Sequence, residues 1–201
     1  MRSVWTIARR ELNATFATPI GWVCLGALLV MTGLFFAWML GLYAETTIQA
    51  AYSPWDDPIN VNDYLVVPFF GNWAVILLFV CPALTMRQLA EERRSGSLEL
   101  LLTSPVSATQ IVLGKFLASW VLVCLLVTLS IMPVAWTVSG LGDLDWATVW
   151  CGLGGAFLLG AGYVALAQLV SALSSHQLLA FLLGALVLGL LWVLRLLVDV
   201  L

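Results

Sequence analysis

Residues 86–115 read Met86-Arg87-Gln88-Leu89-Ala90-Glu91-Glu92-Arg93-Arg94-Ser95-Gly96-Ser97-Leu98-Glu99-Leu100-Leu101-Leu102-Thr103-Ser104-Pro105-Val106-Ser107-Ala108-Thr109-Gln110-Ile111-Val112-Leu113-Gly114-Lys115. Apolar runs long enough to span a bilayer flank this stretch on both sides. It holds four of the eight Lys and Arg and three of the eleven acids. A chain that gathers its charge between two apolar runs has put something there that works in water.

The surrounding composition fixes the class. The chain has 201 residues, 62% hydrophobic and 9% charged, with ten Trp and a mean hydropathy of +1.04. Soluble domains are about a quarter charged. The chain therefore reads as an all-α integral membrane protein. Spans of about 20 residues each allow about five. The apolar runs are too long for the short alternating strands of a membrane barrel. The net charge of −3 decides little, because the side on which charges lie outweighs their sum. Cys24, Cys81, Cys124 and Cys151 all fall in expected spans without metal-ligand spacing, so burial as small apolar side chains is expected.

Residues 3–16 mix polar and apolar positions at helical spacing. Trp5, Ala8, Leu12 and Phe16 share one side; Thr6, Arg10 and Asn13 share the other. This pattern fits a helix on the membrane surface, and a frayed basic tail is the plainer alternative. The first span is expected from about Ile20 to Tyr43. Its apolar run of about 24 residues is too long for a signal-peptide core, so it should remain as a span. Residues 44–68 form an extracytoplasmic loop, with four acids, no cation, and Pro54, Pro58 and Pro68 to break a helix. The second span runs from about Phe69 to Thr85, with Pro82 as a candidate kink.

Ser107 and Gln110 form a capping box for a third span starting at Ala108 and ending near Val138. Asp145 is placed to cap a fourth, which ends near Val170. Gly152, Ala156 and Gly160 recur at four-residue steps in it. They either admit a close neighbouring helix or reflect the ordinary glycine content of membrane helices. Residues 171–177 form a short turn with the only histidine, His176, and the fifth span runs from about Leu178 to Val198.

The cations set the orientation. Seven of the eight Lys and Arg lie before the first span or between the second and third, while residues 44–68 and 139–146 hold six acids and no cation. The cation-rich side is cytoplasmic, and so is the N-terminus. Arg195, inside the fifth span, is expected to snorkel outward or to pair with Asp199 one helical turn on. Five spans put the C-terminus outside, which a missing sixth span would explain.

The sequence lacks several chemistries. There is no GxxxxGK[ST] phosphate loop, so the chain does not bind ATP by that route. Almost no ionisable group lies within the spans, which argues against a proton-coupled carrier. No nucleophile–base pair or acid pair sits at membrane depth, so no catalytic, cofactor or metal site is expected. Nothing calls for a nucleic-acid partner.

Within the charged stretch, Glu91, Glu92, Arg93 and Arg94 extend the second helix into water. Gly96 permits a change of direction. Ser97–Thr103 is a short helix candidate with Leu98, Leu101 and Leu102 on one face, and Pro105 ends it. Such a helix is shaped to dock into a groove on a soluble partner. A topological anchor followed by an interfacial turn is the plainer alternative.

The run Glu91–Ser107, followed by Gln110–Lys115, resembles the signature of ABC-2 type transporter permeases. It is most similar to the gliding-motility-type and multicopper-maturation branch. The resemblance implies one transmembrane domain over residues 1–201, with 3–16 as the elbow helix and 87–115 as the cytoplasmic coupling loop. It implies that Glu91, Glu92, Arg93, Arg94, Gly96, Leu98, Glu99, Leu101 and Leu102 meet a separate ATPase subunit, which holds the ATP and magnesium. Residues 171–177 would be a second, smaller contact. It further implies a second permease subunit, identical or different, export as the direction, the inner membrane as the location, and six spans where five are read. The rival classes are a stand-alone channel or carrier, which would need a polar lining within the spans, and a membrane anchor that recruits a partner without transport.

Overall fold

The computed structural model describes residues 2–17, 19–52, 60–86, 107–174 and 176–200. Its elements are α1 (Arg2–Ala17), α2 (Pro19–Ala51), a π-helical turn (Asn62–Val66) running into α3 (Val67–Thr85), α4 (Ala108–Ser139), α5 (Trp146–Leu173) and α6 (Gln177–Val200). Among the described residues no strand occurs. Five helices, α2 to α6, are long and apolar enough to cross a membrane. At about 1.5 Å per residue, the 33 residues of α2 reach about 50 Å, well beyond a hydrocarbon core of about 30 Å.

Several boundaries differ from the sequence expectation, each for a local reason. α2 continues through Glu45 to Ala51 because nothing in that stretch breaks a helix. The hydroxyls of Thr46 and Thr47 donate back to Tyr43 O at 2.9 and 2.7 Å, so these polar residues are satisfied within the helix. Pro68, expected to interrupt the chain, lies in the first turn of α3. A proline ring clashes with the carbonyl four residues back, here Tyr64. The π turn just before it widens the backbone, with Val67 N–H donating to Asn62 O, and so carries the helix into Pro68. Ser107 and Asp145 both act as N-caps, and of the Ser107–Gln110 box the bond into Ser107 is the one described. Ser107 Oγ accepts from Gln110 N–H at 3.4 Å, and Asp145 accepts from Ala147 and Thr148 N–H at 3.0 and 3.3 Å.

α5 lies at the centre, packed against α3, α4 and α6. Its small residues explain the closeness. A Cβ on Gly152 would run into the Phe70 ring of α3, and one on Gly160 would sit 2.8 Å from Val123 Cγ1 of α4. The four-residue stripe thus serves two neighbours at two heights. The core around it holds Phe69, Trp73, Leu77, Val123, Leu126, Val127, Leu153 and Val164, all nearly inaccessible. Where lipid is as apolar as leucine, close packing and a few polar contacts drive association. Trp120 Nε1 donates to Phe157 O at 3.0 Å, and Thr32 Oγ1 of α2 donates to Ser130 Oγ of α4 at 3.4 Å.

The cysteines correct the sequence reading. Cys81 is buried and Cys124 half-buried, but Cys24 and Cys151 are exposed on the outer faces of their helices. A small apolar thiol is as well placed against hydrocarbon as in a core, so membership of a span does not decide its face. Exposed tryptophans cluster toward the two ends: Trp136, Trp146 and Trp150 at one, Trp5 and Trp22 at the other. This is the pattern of interfacial aromatic belts.

Gly152→Val should lower the thermal midpoint of the purified protein, because overpacking of this kind costs about 1–3 kcal/mol. Gly154→Ala should be neutral, since a Cβ there meets nothing within 4 Å. Equal midpoints for the two variants would contradict the packing described.

Candidate functional site

One end of the bundle gathers α1, the C-terminus of α3, the N-terminus of α4 and the last turns of α5. The charged segment leaves and re-enters the bundle here. Residues 87–106, with Glu91, Glu92, Arg93, Arg94, Gly96, Leu98, Glu99, Leu101 and Leu102, lie outside the described residues. What the structure gives is how the two roots of that segment are held.

The outgoing root is fixed by α5. Ser171 Oγ, buried, donates to Thr85 O at 2.9 Å and approaches Met86 O at 3.5 Å. Thr85 is itself buried, and its hydroxyl donates back to Cys81 O at 3.0 Å. The returning root is fixed by the same helix. Gln168 Nε2 donates to Val112 O in the second turn of α4 at 3.1 Å. Gln168 and Ser171 are three residues apart and so share one face of α5. One helical turn therefore grips both roots. Buried polar side chains of this kind are kept only where their partners are in place.

α1 is fastened to the returning root. Lys115 lies in α4, two turns beyond the Ser107 cap, and is not a loop residue. Its ammonium is 3.2 Å from Glu11 Oε1, with the Lys115 side chain 3% and the Glu11 side chain 23% exposed. Glu11 also lies 3.7 Å from Arg10. A lone lysine inside an apolar helix needs a counter-charge, and Glu11 is the one acid before the first span. The need for a counter-charge was legible in the sequence; which acid supplies it was not.

Gly114 lets the helices meet: a Cβ there would lie 2.8 Å from Ile7 Cβ and 3.1 Å from Val4 O. The face of α1 turned to the protein is therefore Val4, Ile7, Ala8 and Glu11. The expected membrane stripe splits accordingly. Ala8 is buried against the bundle, while Trp5 is 65% exposed. The corner between α1 and α2 is closed by Trp22 Nε1 donating to Phe16 O at 2.8 Å, with the two rings 5.4 Å apart.

The short turn after α5 is tighter than expected. Ser171 belongs to the last turn of the helix, Ser174 caps it, and α6 begins at Gln177. His176 is exposed, and its carbonyl accepts from Ala180 N–H. At the opposite end, Asn62 bridges α3 to the turn before α5. Its Oδ1 accepts from Asp145 N–H at 3.0 Å, and its Nδ2 donates to Asp143 O at 3.2 Å. The Thr148 hydroxyl, 2.6 Å away, and the Ala147 N–H hold the Asp145 carboxyl below its ordinary value of 3.8. The side chain of Arg195, the expected cation of the fifth span, lies outside the described residues, and so does its pairing with Asp199.

A chain whose described residues are helical, with five helices of bilayer length and apolar composition, is a multi-pass membrane protein. The model of a family described as ABC-2 family transporter protein matches residues 43–197, and the chain belongs to that family. It is the membrane-spanning component of a transporter. No curated protein matches the sequence.

Two outcomes follow. Lys115→Ala and Glu11→Gln should each lower the thermal midpoint, and a double-mutant cycle should return a coupling of about 1–3 kcal/mol, below the cost of splitting a fully buried pair because Glu11 is partly wet. Additive effects would mean that the two side chains act independently. Because the Asp145 pKa is depressed, its contribution is complete above the ordinary carboxylate range and is lost as pH falls through the lowered value. Asp145→Ala should therefore flatten the acid limb of a melting-temperature profile.

Proposed function

We propose that this chain is the permease subunit of an exporter driven by a separate ATPase, which docks on residues 87–106. The observation that carries the reading is the grip of Ser171 and Gln168 on both roots of that segment. A docked ATPase closing on nucleotide would move the segment. The hydrogen bonds at Thr85 and Val112 would pass the displacement to α3, α4 and α5 together. The Lys115–Glu11 pair would take α1 along, and the corner at Trp22 would pass the motion to α2.

Glu91, Glu92, Arg93 and Arg94 orient the partner through charges of both signs. The leucine face of Ser97–Thr103, with Gly96 and Glu99 beside it, fills a groove on it. ATP and magnesium belong to that partner. A second permease subunit completes the path, against the outward apolar faces of α2 and α6. The segment's resemblance to the gliding-motility-type and multicopper-maturation permeases supports membership of that branch. The cation bias puts the N-terminus and the segment on the cytoplasmic side of the inner membrane.

With the four native cysteines replaced, thiol labelling at Ser95→Cys and Ser53→Cys should occur from opposite sides of the membrane; labelling from one side would overturn the topology. Leu101→Asp should leave the chain inserted but abolish co-purification with the ATPase or uncouple its hydrolysis from transport, as truncating a central anchor costs about 2 kcal/mol or more. Wild-type transport by that variant would reduce the segment to a turn.

A further inference from the structure

We propose that the groove between α1 and α4 holds an acyl chain of an anionic phospholipid whose headgroup sits on Arg9. Val4 and Trp5 of α1 and Leu113, Phe116 and Leu117 of α4 line this groove, and its walls are almost wholly apolar. The groove is open rather than enclosed, and Trp5 and Leu113 on its rim are 65% and 52% exposed. Its place in the chain turns it toward the bilayer. α1 leads into a span at Pro19, and α4 runs on from Leu117 as a span itself.

Arg9 stands one helical turn from Trp5 on the same edge of α1. It is exposed and makes no ion pair among the described residues, whereas Arg10 lies 3.7 Å from Glu11 and Lys115 lies 3.2 Å from it. The one acid of α1 is therefore committed, and among the described residues the Arg9 charge has no counter-charge while it stands one turn from an apolar furrow.

These two features together select the occupant. A free phosphate would neutralise Arg9 and leave the furrow unfilled. An uncharged hydrocarbon would fill the furrow and leave the cation without a counter-ion. A lipid with a net negative headgroup satisfies both, with the Trp5 indole at the boundary between chain and headgroup. A zwitterionic headgroup offers the same phosphate but offsets it with its own cation. A single arginine near an anionic lipid surface corresponds to about a fivefold preference.

The test uses the full chain, purified and delipidated in detergent. Phosphatidylglycerol and phosphatidylcholine with identical acyl chains are added separately, and retained lipid is counted by native mass spectrometry alongside the thermal midpoint. The wild type should retain one phosphatidylglycerol about fivefold more strongly than phosphatidylcholine, with a matching rise in midpoint. Arg9→Gln, an exposed change, should keep its lipid-free midpoint and bind the two lipids equally. Leu113→Trp, which fills the furrow from its exposed rim, should lose both. Three results would overturn the proposal: no lipid preference in the wild type, an undiminished preference in Arg9→Gln, or full retention in Leu113→Trp.

Discussion

The close approach of α5 to its neighbours is the constraint on which the rest of the bundle depends. In a bilayer, moving a leucine from lipid to protein gains little, so helices associate where backbones can come near and where polar groups find partners. Gly152 and Gly160 provide the first condition toward α3 and α4. Gln168 and Ser171 provide the second at one end of α5, and Asn62, reaching the turn before Trp146, provides it at the other. α2 and α6 pack at the margin of this group, with most of their apolar surface turned outward.

Charge is handled with the same economy. A cation within an apolar helix is costly unless paired, and Lys115 is paired by borrowing Glu11 from an element that lies outside the spans. The pair does more than neutralise. It fixes α1 against the turn of α4 that follows the charged segment, so that any force on the segment reaches the first helix through a short physical path. On the opposite end, the carboxyl of Asp145 is engaged by the start of its own helix, and Asn62 ties that cap to α3. Both ends of the central helix are thus anchored by side chain to backbone hydrogen bonds, buried at Ser171 and exposed at Asn62 and Asp145.

Much of this was legible beforehand, and for identifiable reasons. The five spans follow from the length of apolar runs. The caps at Ser107 and Asp145 follow from local rules that involve residues three or fewer apart. The chain's membership of the ABC-2 transporter family was carried by a short run of charged and leucine residues. Other features were misread where a local rule met a non-local one. Pro68 looked like a break because the widening of the preceding turn is not written in any single residue. Cys24 and Cys151 looked buried because an apolar run has no visible inner face when both core and lipid are apolar.

By itself, the sequence determined that the chain crosses a membrane, how many times it can do so, where two of its helices are capped, and where its cations are concentrated. These depend on transfer energies and hydrogen bonds within a few residues of one another. Tertiary structure alone decided which helix stands at the centre, which face of each helix meets protein, and which residues hold the roots of the charged segment. Gln168 with Val112, Ser171 with Thr85, and Glu11 with Lys115 are 56, 86 and 104 positions apart. In helices apolar on nearly every side, no periodic pattern marks the inward face, so such partners are fixed only by how the helices come together in space.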